Sequence, residues 1–197
     1  MKKILAILAS LVVVSAQAAT PTGEIIFVTS NEPASNPVLD VDGTTRVGTG
    51  FFGQLYIGLD ANNLQKVGSA VQFATGGAAL GFLAGSPSTV SWTSPLNSTT
   101  LPTADQAGVY VLRAWSGTVG STFETASATV GAKIGSSTAF SIAHFGGVKA
   151  DGSGSSSFPF ANQHAGFTLS SVAAVPEPAT LALGLFGAAG LLFRRRK

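Results

Sequence analysis

A 197-residue chain without a single cysteine has no disulfides, no thiol chemistry and no cysteine-ligated metal site. Its formal charge of +2 hides an asymmetry, because Lys2, Lys3 and Arg194 to Lys197 lie near the two ends while residues 20–174 carry five bases against eight acids. That middle portion, at −3 (five minus eight), offers no basic patch for nucleic acid.

The chain opens with MKKILAILASLVVVSAQAAT. Two lysines, an apolar run from Ile4 to Val14, and small residues at Ala16 and Ala18 have the three-part layout of a secretory signal peptide. The apolar run would span about 17 Å as a helix, too short for a stable membrane crossing. Cleavage is expected after Ala18, so the protein is expected to be exported.

Residues 19–174 read as one all-β, sandwich-like domain. Predicted strands cover 23–29, 51–59, 67–73, 89–93, 108–115, 139–145 and 166–172, with turn residues between them at Asp42-Gly43, Asn62-Asn63, Ser86-Pro87 and Asp151-Gly152. In the second of these, Phe51, Leu55, Ile57 and Leu59 alternate with Phe52, Gln54 and Tyr56, which places the two sets on opposite faces. The strand at 108–115 carries large residues on both faces, as a central strand does. Only Ser121 to Ala128 has a helical composition, and no repeat period is evident.

Within 108–115 the charged residue is Arg113. A strand-centre guanidinium is expected to be at least partly buried and to need a partner, and Glu124 is the nearest acid in sequence. An Arg113–Glu124 ion pair is therefore expected to fix the segment after that strand.

Catalytic and metal-binding patterns are sparse. His144 and His164, the two histidines, belong to no metal-ligating spacing. No Gly-x-Ser-x-Gly elbow occurs. Asp40-Val41-Asp42-Gly43 and Asp151-Gly152-Ser153-Gly154 resemble pieces of calcium loops but lack the further carboxylates, so each reads as a turn. No metal, cofactor or catalytic residue is expected, and the protein is read as a non-enzyme. A glycan hydrolase would need two facing carboxylates about 5 to 10 Å apart, which nothing in the pattern signals. The other reading, a secreted carbohydrate-binding module, needs exposed aromatics such as Trp92, Trp115 or Tyr56 to stack on sugar faces.

The chain closes with VPEPATLALGLFGAAGLLFRRRK, residues 175–197. Pro176 and Pro178 cannot lie inside a helix, so they mark its boundary. Ala179 to Phe193 is uncharged and would span about 22 Å as a membrane helix. Arg194, Arg195, Arg196 and Lys197 can snorkel to the headgroups and hold that end on the cytoplasmic side.

Val175-Pro176-Glu177-Pro178, the short apolar helix and the basic end together resemble the PEP-CTERM sorting signal of Gram-negative bacteria. The resemblance implies recognition by an exosortase, a membrane protease or transpeptidase cutting near Pro176-Glu177-Pro178. It further implies a transient anchor in the inner membrane, delivery to the cell surface or extracellular matrix, and association with exopolysaccharide and biofilm. The body also resembles a core of some PEP-CTERM proteins, through Gln54-Leu55-Tyr56, Arg113-Ala114-Trp115, Phe123-Glu124-Thr125-Ala126 and Gly135-Ser136. That second resemblance implies no known activity.

Overall fold

The computed structural model describes residues 19–27, 37–85, 88–94, 98–155, 158–160 and 166–174. In chain order the elements are β1 (Thr22–Phe27), β2 (Phe51–Gly58), β3 (Gln65–Gln72), β4 (Ser88–Thr93), β5 (Gly108–Ser116), α1 (Phe123–Ser127), β6 (Lys133–Ser136), β7 (Phe140–Ile142), β8 (Gly147–Val148), β9 (Gly154–Ser155), β10 (Phe158–Phe160) and β11 (Ser170–Ser171). The fold is all-β, as the alternation of apolar residues predicts.

A larger sheet runs β11-β6-β5-β2-β3, with β7 also paired to β5, and a smaller one runs β10-β1-β4. β8 and β9 form a separate two-stranded ribbon. β1 alternates strictly, burying Gly23, Ile25 and Phe27. Ile25 and Phe27 share one core with Trp92 of β4 and, from the larger sheet, with Leu55, Ile57, Tyr110, Leu112 and Ala114. Each such aliphatic or aromatic side chain contributes about 1.5–3 kcal/mol on full burial. The two sheets thus face each other across that core, as in a sandwich.

β2 and β5 pair antiparallel from Phe51 opposite Ser116 to Gly58 opposite Val109. Phe52 therefore lies opposite Trp115 and Gln54 opposite Arg113, on the face turned away from the smaller sheet. This outer face is covered as well: Phe52, Trp115 and Ala126 of α1 form a second buried cluster, with Phe123 and Ile134 against it. Burial on both faces explains why β2 and β5 carry large residues at consecutive positions.

The strands expected at 51–59, 67–73, 89–93 and 108–115 appear within two residues of their expected ends. The one expected at 139–145 is shorter: β7 stops at Ile142, and Phe145 makes only an isolated bridge to Ala104. The one at 166–172 reduces to β11, preceded by a bridge from Thr168 to Leu39. β6, β8, β9 and β10 were not expected. β8 and β9 are too short to show a period, and β6 contains Gly135, whose missing side chain leaves room for Leu169 and Phe167.

Registers also fix the two ends of the larger sheet. Phe51, Ser116, Lys133 and Ser171 lie level at one end. The loop at 59–64 lies at the other, after Gly58.

Candidate functional site

On the outer face, α1 is set down where β2 and β5 bring their polar residues together. Thr122 caps the helix by accepting from the Thr125 amide at 3.2 Å. The next residue, Phe123, meets the Trp115 ring edge-on at 6.3 Å and the Tyr56 ring at 6.2 Å. Trp115 in turn donates from Nε1 to Ser121 Oγ at 3.0 Å. Between the rings lies Arg113, its Cζ 4.2 Å from the Tyr56 centroid and 5.0 Å from that of Phe123. Gln54, beside Arg113 in the register, donates from Nε2 to the carbonyl of Gly68 at 2.7 Å.

The expected Arg113–Glu124 ion pair is corrected here. The Glu124 carboxylate accepts from Tyr56 Oη at 2.6 Å, whereas the ion pairs among the described residues are Lys133–Asp40 and Lys149–Asp105. The tyrosine ring takes the place an acid would hold beside the guanidinium, and the charge is stacked on aromatic faces instead of matched. Partial burial of Arg113, in contrast, is as expected. Sequence order hid Tyr56, which is 68 residues from Glu124. The available signal was its place on the same face as Gln54, one pleat from the residue opposite Arg113.

The electrostatics make this cluster a clamp. Burial, reinforced by the bond to Glu124, pushes the Tyr56 hydroxyl far above its ordinary range, so it stays a proton donor. The same bond holds the Glu124 carboxylate below its ordinary range. A tyrosine locked as donor and a glutamate kept ionised exchange no proton near neutral pH. What the group does is fasten α1 to the sheet. Gln54, Tyr56, Arg113, Trp115, Phe123 and Glu124 converge on this clamp, with Ser136 opposite Arg113 in β6.

Other sequence features resolve into structure. Asp42 accepts from the amides of Thr44 and Thr45 at 2.9 and 2.8 Å, and these bonds, with the Thr45 hydroxyl foremost, lower its pKa strongly. Asp151 accepts from the Ser153 amide at 2.9 Å and its hydroxyl at 2.6 Å. Both segments are turns whose carboxylates serve their own backbone. Asp105 pairs with Lys149 and accepts from Ser155, tying the β8–β9 ribbon to the body, with His144 exposed nearby. Among the described residues no group of three metal-ligating side chains occurs.

The aromatic platform of the carbohydrate-binding reading is also corrected. Trp92, Trp115 and Tyr56 are 8%, 0% and 2% exposed, so none can stack on a sugar. Trp92 points inward because its indole donates to the Pro102 carbonyl at 2.9 Å and packs edge-on against Phe145. A small cleft between β3 and β4, about 30 Å³ in volume and lined by Phe27, Leu55, Val67, Leu83 and Val90, has no titratable side chain in its wall.

The expected signal peptide with Ala16 and Ala18, the motif Val175, Pro176, Glu177 and Pro178, the helix 179–193 and the stop Arg194, Arg195, Arg196 and Lys197 lie outside the described residues. Among the described residues no helix is long and apolar enough to cross a membrane. Among the described residues Val172 is the last with a backbone bond to the body, donating to the Ala132 carbonyl at 2.8 Å and accepting from the Gly131 amide at 2.9 Å. Two alanines separate it from Val175. No curated protein and no solved structure shows a match to the chain. Residues 174–197 do match a family model, that of the PEP-CTERM protein-sorting motif. The chain therefore carries a PEP-CTERM protein-sorting motif at its C-terminus, which supports an exported protein sorted to the cell surface by an exosortase.

Proposed function

We propose that this protein is a non-enzymatic component of the cell surface or extracellular matrix, associated with exopolysaccharide and biofilm. One observation carries the reading: a sorting motif at 174–197 follows directly on a folded β body. The signal peptide, cut after Ala18, exports the chain. The apolar stretch 179–193 then pauses in the inner membrane, held by Arg194 to Lys197 on the cytoplasmic side. Pro176 and Pro178 keep the segment before it out of helix, so its peptide bonds are open to the exosortase. The body is structural in this scheme, and the burial of Trp92, Trp115 and Tyr56 removes those three rings from the sugar-stacking alternative.

Mass spectrometry of cell-bound and released protein from the native host tests the proposal. Wild-type protein is expected to begin at residue 19 and to lack residues 179–197. Replacing Pro176 and Pro178 together by alanine lets helix propagate back through Glu177, and full-length post-signal protein is expected to accumulate in the membrane. Recovery of wild-type protein mainly with 179–197 attached would make the tail a plain anchor and overturn the sorting reading.

A further inference from the structure

Among the described residues the exposed large hydrophobic side chains are Val119, Val130 and Val41, at 88%, 62% and 44%. Single exposed valines need no explanation. Their placement does. Val119 belongs to the turn leaving β5 just beyond Ser116, and Val130 to the turn entering β6 just before Lys133. Val41 follows Asp40, whose carboxylate pairs with Lys133 at 2.5 Å. All three therefore lie at one end of the larger sheet, the end where Val172 is hydrogen-bonded and the chain departs for the sorting motif.

Two of these turns have the same sequence. Thr118-Val119-Gly120 and Thr129-Val130-Gly131 each end in a glycine with positive φ, +89° and +81°. Such a glycine reverses the chain without steric cost and leaves the valine before it at the outside of the turn. Segments 117–122 and 128–132 contain no charged residue. Charged groups near this end are partnered: Asp40 pairs with Lys133, Asp42 is bonded within its own turn, Arg46 donates to the Ala78 carbonyl, and Glu124 accepts from Tyr56.

We infer that this valine-tipped end of the sandwich rests on the outer surface of the inner membrane while the tail is anchored. The inference rests on the anchoring step proposed above. Chain length supplies the reason for choosing lipid as the occupant. Ala179 begins the apolar stretch only seven residues after Val172, so the tip lies within about 25 Å of it even at full extension. The chain leaves for the apolar stretch from this end, so this is the end that the short connection holds nearest the bilayer. Shallow insertion of the valines then holds the body upright over Pro176-Glu177-Pro178, and release of the tail releases the contact.

Because the chain has no cysteine, single labels report cleanly. Full-length Val119→Cys, Val130→Cys and the control Asn62→Cys, which sits in the loop at the other end, are each labelled with a polarity-sensitive dye. Each is reconstituted into phosphatidylethanolamine/phosphatidylglycerol vesicles with and without headgroup-region nitroxide lipid. Blue-shifted emission and quenching at least about twofold stronger at 119 and 130 than at 62 are expected for side chains lying in the interface. Equal quenching at all three positions, in vesicles that carry the protein on flotation, would overturn the inference and leave the anchoring reading standing. Failure to float with the vesicles would overturn both. A blue shift that tracks protein density and ignores the lipid quencher would assign the tip to a second copy of the chain and overturn the lipid contact.

Discussion

Tyr56 donates its hydroxyl proton to the Glu124 carboxylate across 2.6 Å, joining the central strand β2 to helix α1. Tyr56 and Tyr110 are the two tyrosines of the chain, both are buried, and burial raises the pKa of each far above its ordinary value of 10.0. The unfolded chain therefore loses these protons first as pH rises. Stability is fully retained below about pH 10 and then falls by about 1.4 kcal/mol per pH unit for each tyrosine. In an alkaline titration, tyrosinate absorbance is expected to appear together with loss of the β circular-dichroism signal. Tyrosinate forming in a chain that remains folded would contradict the burial.

Tyr56→Phe removes the bond and keeps the ring. Glu124 is exposed, so water takes over part of its hydration, and a loss of about 1 kcal/mol is expected. Glu124, whose pKa is lowered in the folded state, contributes stability above its unfolded pKa of about 4.5 and loses that contribution as pH falls. In Tyr56→Phe the acid-side decline should flatten. Chemical denaturation at several pH values checks both effects.

Arg113→Ala deletes a cation stacked between two rings. Partly exposed cation–π contacts are worth about 1–2 kcal/mol, and that is the expected cost by urea denaturation. A loss of 3–5 kcal/mol would instead indicate a buried ion pair.

Gly23 lies against the Trp92 ring, where an added Cβ would come within 2.2 Å of the indole. Gly23→Ala therefore forces the ring aside and breaks its bond to the Pro102 carbonyl. Trp92→Phe loses the same bond while keeping an aromatic in place. An unpaired buried carbonyl costs about 1–3 kcal/mol, so both variants should lower the melting temperature, the alanine variant more. Trp92 fluorescence that is already solvent-exposed in the wild type would count against this packing.

Deleting Arg194 to Lys197 should fail in another way from the double-proline variant. Without the basic stop the apolar stretch is expected to slip through the inner membrane, so that uncut protein appears in the soluble exported fraction. Fractionation with mass spectrometry distinguishes this from uncut protein retained in the membrane.

The address of this protein is legible in its sequence because it is linear information. The sorting motif at 174–197 is matched by residue order alone, so it can be read without a fold. Strands β1 to β5 were equally legible, since each is long enough for alternation or continuous burial to show. β6, β8 and β9 were not: two to four residues with glycine among them hold no period, and only pairing to a neighbour makes them strands. The partner of Arg113 likewise depended on tertiary structure. Proximity along the chain pointed to Glu124, but antiparallel pairing of β2 with β5 laid Tyr56 beneath the helix and placed its ring and hydroxyl between the two charges. The same holds for Trp92 and Trp115, whose exposure depends on what covers them, and for Val119 and Val130, gathered at one end of the larger sheet only by the order of its strands.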